Sequence, residues 1–134
     1  MSIIVTDRGF GPDDWTTPIR ALEDARPGVG IDLPASADPL ELAGRLPQIG
    51  MIRVDFPSFA DGRGFTIARK LRLMGYRGRL RARGHVIADQ YAMARRAGFD
   101  EVEIDEALAA RQPEEQWLFR ADWQAHDYQA RMRG

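Results

Sequence analysis

Three short segments of alternating apolar and charged residues constrain the fold of this chain more than any other feature. They cover Met51–Phe56, Arg79–Arg83 and Phe99–Ile104, and apolar residues at helical spacing lie between them. The order strand, helix, strand, helix, strand at these lengths is typical of right-handed crossovers between parallel strands. The pattern predicts an α/β fold with a small, mainly parallel sheet.

The same alternation predicts how the sheet is covered. Successive side chains of a strand point to opposite faces, so each strand has one apolar face and one charged face. A parallel sheet with helices on both faces has nearly continuous apolar strands instead. We therefore expect helices chiefly on one face, as in a half-barrel or an open αβ sandwich. The charged face is either a ladder of ion pairs between neighbouring strands or a surface for a ligand or partner.

The rest of the chain gives weaker signals. Ser2–Thr6 is predicted to be an edge strand or half of a hairpin, the segment 13–27 to be irregular, and Gly30–Leu33 to be a brief strand. Asp38 is expected to cap a short helix that stops at Pro47. Longer helices are predicted over about 64–74 and 86–97, and a short one over 105–111.

With 134 residues, the chain is predicted to form a single α/β domain over residues 1–134. Residues 112–134 contain two tryptophans, Trp117 and Trp123, and follow neither the helical nor the strand period. We expect this segment to dock, either on its own domain or on a neighbouring chain, which leaves a homo-oligomer open.

The absence of cysteine excludes disulfides, cysteine-ligated iron–sulfur clusters and thiol redox chemistry. With only two histidines and no metal-binding spacing, no metal site is predicted. The N-terminus lacks the basic region of a signal peptide, and no apolar run is long enough to span a membrane. A cytoplasmic protein without membrane contact is expected.

Charge is unevenly distributed, although the net charge is only −1. Residues 53–96 hold eleven basic and three acidic side chains, whereas the two flanks together hold eight basic and seventeen acidic ones. This asymmetry indicates either a basic binding surface or pairing within the fold, and we favour pairing. The near-neutral charge and the lack of aromatic residues among the arginines argue against nucleic-acid binding.

Candidate site residues follow the predicted strands, because ligands of open α/β sheets bind beyond the carboxyl ends of the strands. That edge would gather Asp55, Ser58, Asp61 and Arg63 from the first loop, Arg83, His85 and Asp89 from the second, and Asp105 from the third. The ligand-binding residues that we predict are Asp61, Arg63, Arg83, His85, Asp89 and Gln90.

The loop Asp61-Gly62-Arg63-Gly64 opens a predicted helix, whose free N–H groups and dipole favour an anion beside Arg63. Arg83 is a second positive group for this anion. The alternative is a glycine-rich turn with a helix cap and nothing bound. His85 stands where a general acid or base would act, but a cap or surface role is the alternative. A Walker loop, a complete GxGxxG and a nucleophile elbow are absent.

Two blocks of sequence resemble a known family. DFPSFADGRGFTIARKLR and then YRGRLRARGHVIADQYAMARRAGFDEVEI are similar to the blocks of the bacterial domain of unknown function 934 family, in the same order and at similar separation. Asp61, Arg63, Arg69, Arg81, Asp89 and Gln90 fall on its motif positions. His85 departs from the family, which commonly has an acidic residue there.

The resemblance implies a small cytoplasmic protein encoded beside assimilatory sulfite reductase and described as an oxidoreductase of sulfite reduction. That description rests on gene neighbourhood, and no active site comes with it. Our leading hypothesis is therefore a non-redox accessory of sulfur assimilation that binds an oxyanion or a partner such as sulfite reductase. The alternative is an oxidoreductase of sulfite reduction whose cofactor the sequence does not reveal.

Overall fold

The computed structural model describes residues 2–24 and 26–124. Its seven described strands form one sheet in the order β2-β1-β7-β6-β5-β4-β3. They are β1 Ser2–Thr6, β2 Gly9–Gly11, β3 Ile19–Ala21, β4 Gly30–Leu33, β5 Met51–Phe56, β6 Arg79–Gly84 and β7 Glu101–Asp105. The helices are α1 Arg63–Leu73, α2 Tyr91–Ala97, α3 Glu106–Arg111 and α4 Glu114–Leu118. Strands β3 to β7 are parallel, while β1 is antiparallel to both β2 and β7.

The core lies between one face of the sheet and the helices. Val54, Leu80 and Val102, on that face of β5, β6 and β7, are completely buried in one apolar cluster with the inward sides of α1 and α2. Gly64 lets α1 approach closely, because the Phe56 ring occupies the space that a side chain would need. The predicted mainly parallel α/β sheet is confirmed.

Several local predictions need correction. Of the two alternatives predicted for Ser2–Thr6, the hairpin is confirmed, because β1 forms a hairpin with β2, and the edge strand is wrong, because β1 also pairs with β7. The segment 13–27 is not wholly irregular, because it contains β3, which is too short to show an alternating pattern. The expected helix ending at Pro47 is two 3₁₀ turns, Pro39–Leu42 and Leu46–Gln48, and Pro47 lies inside the second.

The helical regions differ in detail from the expected ones. The region predicted over 86–97 is a 3₁₀ turn, Ala88–Gln90, that leads into α2. Asp38 caps its turn as expected and accepts a hydrogen bond from Leu40 N–H at 3.0 Å. The helix α4 was not predicted, and its buried Trp117 packs edge-to-face with the Tyr91 ring. His126 and Tyr128 of the tail lie outside the described residues.

Residues 12–18, here called the crossing segment, join two strands at opposite edges of the sheet. Six strand spacings of roughly 4.8 Å would separate β2 from β3 in a flat sheet, about 29 Å. That is about the greatest reach of an extended chain of this length, and a turn shortens the segment, since Trp15 N–H donates to Asp13 Oδ1 at 3.0 Å. The edges must therefore be drawn together, so the sheet curves around its charged face.

Candidate functional site

The charged face has two halves, and Arg81 is the central residue of the half near the amino ends of the strands. It lies on β6 opposite Glu101 of β7, and its side chain is 0% exposed. Its Nε donates to Glu101 Oε2 at 2.5 Å, its Nη1 to Glu103 Oε1 at 2.7 Å and its Nη2 to Asp13 Oδ1 at 3.0 Å. Burial acts to lower the pKa of Arg81, but the hydrogen bond to Asp13, the charge of Glu101 and the hydrogen bonds to Glu101 and Glu103 outweigh it and raise that pKa. This guanidinium is charged, and each of its three nitrogens donates to a carboxylate.

Other ion pairs extend this arrangement to both sides. Arg53 of β5 binds Asp32 of β4 through two bonds of 2.6 and 2.8 Å, and it also reaches Glu103 at 3.1 Å. Arg79 bonds Glu101 at 2.8 Å and also Asp14 of the crossing segment. Arg53, Arg79 and Arg81 of the basic block are therefore paired with carboxylates from both of its flanks.

The other half of the charged face, toward the carboxyl ends of the strands, is open. A cavity of about 340 Å³ lies there, and we call it the carboxyl-end cavity. This volume is at the small end of the range for sites of small molecules. Its lining combines cationic, anionic and apolar groups: Ser2, Asp55, Pro57, Phe59, Arg83, Gly84, His85, Glu103, Ile104, Asp105, Leu108 and Arg111.

Arg83 is the principal cation of this cavity. Its side chain is 50% exposed, and its nearest carboxylates are Glu103 at 3.5 Å from Nε and Asp55 at 3.8 Å from Nη1. Good N–H···O bonds span about 2.7–3.2 Å, so both contacts are loose. Arg83 makes no hydrogen bond to any described residue within that range, which leaves its donors available.

His85 reaches the cavity through a sharp turn at the end of β6. Gly84 has a φ of 111°, a conformation that favours glycine, and this places His85 N–H against the Phe56 carbonyl at 3.0 Å. His85 Nδ1 lies 3.2 Å from the same carbonyl oxygen, which only accepts hydrogen bonds, so Nδ1 carries the proton. In the neutral ring Nε2 is then an acceptor. The Phe59 ring packs edge-on against this imidazole, with centroids 5.0 Å apart.

Of the six predicted binding residues, Arg83 and His85 line the cavity together and the other four lie outside it. Asp61 and Arg63 pair with each other through bonds of 2.7 and 3.0 Å, and Asp61 Oδ1 also accepts from Arg63 N–H at 3.1 Å. This side-chain bond lowers the pKa of Asp61 and raises that of Arg63. The carboxylate of Asp61 therefore accepts the hydrogen bond at the start of α1, the position where we predicted an external anion.

The remaining two predicted residues support neighbouring loops. Gln90 accepts from Ile87 N–H at 3.0 Å and donates to the Phe59 carbonyl at 3.0 Å, so it holds the backbone of one cavity residue. Asp89 is paired with Arg120. Neither side chain lines the carboxyl-end cavity.

Three charged or aromatic lining residues of the cavity were not among the candidate site residues. Arg111, the last residue of α3, forms no hydrogen bond or ion pair with another described residue. Phe59 is 39% exposed, an unusual position for a large apolar ring in a loop, and Glu103 belongs to both halves of the charged face. Glu103 lies on the charged strand face that the sequence predicts, and Phe59 stands between Asp55 and Asp61 in the predicted site loop. The sequence carries no comparable signal for Arg111.

Over residues 2–24 and 26–124, no group of three or more His, Cys, Asp or Glu side chains is placed to hold a metal ion. None of the helices described is both long and apolar enough to cross a bilayer.

Comparison with known proteins gives one result. A family model described as a bacterial protein of unknown function (DUF934) matches residues 30–134. The match begins at the first residue of β4 and leaves out β1, β2, the crossing segment and β3. No curated protein matches the chain.

Proposed function

The chain belongs to the bacterial DUF934 family, and on that premise we propose that it is a non-redox accessory protein that binds a small oxyanion-bearing molecule in the carboxyl-end cavity. The observation that carries the proposal is the state of Arg83. Its guanidinium is half exposed in a small cavity, and its carboxylate neighbours are 3.5 and 3.8 Å away.

The chemistry of the cavity supports this ligand class. Guanidinium groups bind oxyanions through paired, charge-assisted hydrogen bonds. Arg111 adds a second guanidinium to the same lining. The resemblance described above implies an association with sulfur assimilation, and this makes sulfate and sulfite, with phosphate for comparison, the first anions to test.

The test is calorimetric titration of sulfate and of phosphate into the wild type, Arg83→Gln and Arg63→Gln at low ionic strength. Loss of one charge-assisted contact costs roughly 1.5–3 kcal/mol, so Arg83→Gln should weaken binding by about ten- to a hundredfold. Arg63→Gln is the matched control, because Arg63 lies outside the cavity and is paired with Asp61. It should bind as the wild type does.

Two outcomes would contradict the proposal. If Arg63→Gln weakens binding and Arg83→Gln does not, the anion binds at the start of α1 instead. If the wild type binds no oxyanion-bearing probe at millimolar concentration, whether sulfate, phosphate or an organic sulfonate, the cavity is not an oxyanion site. A stoichiometric flavin or haem absorption band in the purified protein would favour the competing oxidoreductase.

A further inference from the structure

We infer that the ligand of the carboxyl-end cavity is a small zwitterion, with an ammonium group as well as an oxyanion, and not a simple inorganic anion. This inference rests on the proposed function, because it concerns the same cavity and takes the oxyanion as bound by Arg83. It names the class of ligand as a short amino acid or aminosulfonate.

The first observation is a carboxylate beside the anion site. Asp55 Oδ1 lies 3.8 Å from Arg83 Nη1, which is too far for a good hydrogen bond. Asp55 has a half-exposed side chain and accepts no hydrogen bond within the described part of the chain. It is therefore an anion that lacks close donors, next to a cation that lacks close acceptors.

This arrangement disfavours a plain dianion. A sulfate bound to Arg83 would lie within a few ångströms of the Asp55 carboxylate, and like charges at that distance repel each other. An ammonium group on the same ligand would turn this repulsion into attraction. The loose Asp55–Arg83 pair would then be replaced by two close contacts, one at each end of the ligand.

The second observation is an additional acceptor. Because Nδ1 of His85 donates to the Phe56 carbonyl, Nε2 of the neutral ring is an acceptor, and this ring lines the cavity. An ammonium group has three donors and suits both Asp55 and His85. Glu103, in contrast, already accepts bonds from Arg53, Arg81 and Ser2.

The apolar lining fits the connecting carbons of such a ligand. Pro57, Phe59 and Leu108 share the cavity with these charged groups, and a bare inorganic anion would make no use of them. A volume of about 340 Å³ suits a molecule of several heavy atoms rather than a single ion.

The test compares two zwitterions with their deaminated counterparts. Taurine and ethanesulfonate are titrated into the wild type at low ionic strength, followed by β-alanine and propionate. We expect each zwitterion to bind at least tenfold more tightly than its counterpart without the ammonium group. If taurine binds more tightly than β-alanine, the cavity prefers a sulfonate. If β-alanine binds more tightly, the cavity prefers a carboxylate.

The variant Asp55→Asn separates the inference from the proposed function. It keeps the shape of a half-exposed side chain, so folding should be retained, which circular dichroism checks. We expect it to lose the preference for the zwitterion while it binds ethanesulfonate at least as well as the wild type does. Arg83→Gln should weaken both sulfonates.

The failures are distinguishable. If the wild type binds ethanesulfonate as tightly as taurine, or if Asp55→Asn keeps the preference, the zwitterion is refuted while the oxyanion function stands. If Arg83→Gln binds every probe as the wild type does, or if no probe binds at millimolar concentration, both ideas are refuted.

Discussion

Arg81 and Arg83 lie two residues apart on the same face of the same strand, yet their surroundings are opposite. Arg81 is fully buried and bonds three carboxylates at 2.5 to 3.0 Å. Arg83 is half exposed and has two carboxylates at 3.5 and 3.8 Å. The crossing segment makes the difference, since it places Asp13 over Arg81 and leaves Arg83 uncovered. One repeated sequence pattern thus supplies both a buried structural group and the half-exposed group that we propose binds the oxyanion.

The largest expected effect comes from replacing the two arginines separately. Arg81→Met leaves Glu101 and Glu103 short of a buried partner, so we expect the free energy of unfolding to fall by about 3–5 kcal/mol. Arg83→Met should cost about 1 kcal/mol or less, because its pairs are loose and exposed. Urea denaturation followed by circular dichroism measures both. If both variants lose the same free energy of unfolding, Arg81 and Arg83 do not differ in their structural role.

A smaller effect is expected from their carboxylate neighbours. Asp13→Ala removes two hydrogen bonds to the buried Arg81, at 3.0 and 3.1 Å, and should cost about 1.5–3 kcal/mol. Asp55→Ala is the matched control, because its nearest cation is 3.8 Å away, and it should change stability by about 0.5 kcal/mol or less. Urea denaturation measures the free energy of unfolding of both variants. A larger loss for Asp55→Ala than for Asp13→Ala would contradict this prediction.

The smallest effect is a dependence on pH. The hydrogen bond from Arg81, acting against partial burial, lowers the pKa of Asp13 below its usual value. The unfolded chain therefore takes up this proton more readily than the folded one. The stabilisation is present above about pH 4 and is lost as the pH falls further. Asp13→Asn should lose less stability than the wild type between about pH 4 and pH 2, as thermal unfolding would show. If Asp13→Asn loses as much stability as the wild type over this pH range, the prediction is wrong.

The fold could be predicted where local pattern decides structure. The alternation in β5, β6 and β7 gave their faces, and the glycines gave the helix ends, because both depend on neighbours in sequence. The crossing segment could not be found in this way. Asp13 and Arg81 are 68 residues apart, and two aspartates in an irregular stretch look like any surface charges.

The residues of the candidate site also differ in whether local sequence predicts them. Arg83 and His85 lie at the carboxyl end of β6, where ligands of open α/β sheets bind, so the sequence predicts them. Arg111 enters only because α3 turns back beside the end of β7, which depends on tertiary packing. The pairing of Asp61 with Arg63 is local, but the sequence does not say whether a carboxylate of the chain or an external anion meets that arginine.

The contact between the first and last strands has a consequence for biosynthesis. Ser2 and Glu103 are 101 residues apart, yet they are bonded through neighbouring strands. The N-terminal hairpin therefore leaves the ribosome long before β7 exists to receive it. Closing so long a loop is entropically costly and slows folding. The acidic crossing segment and the arginines of β6 must then remain exposed to solvent until β7 has been translated.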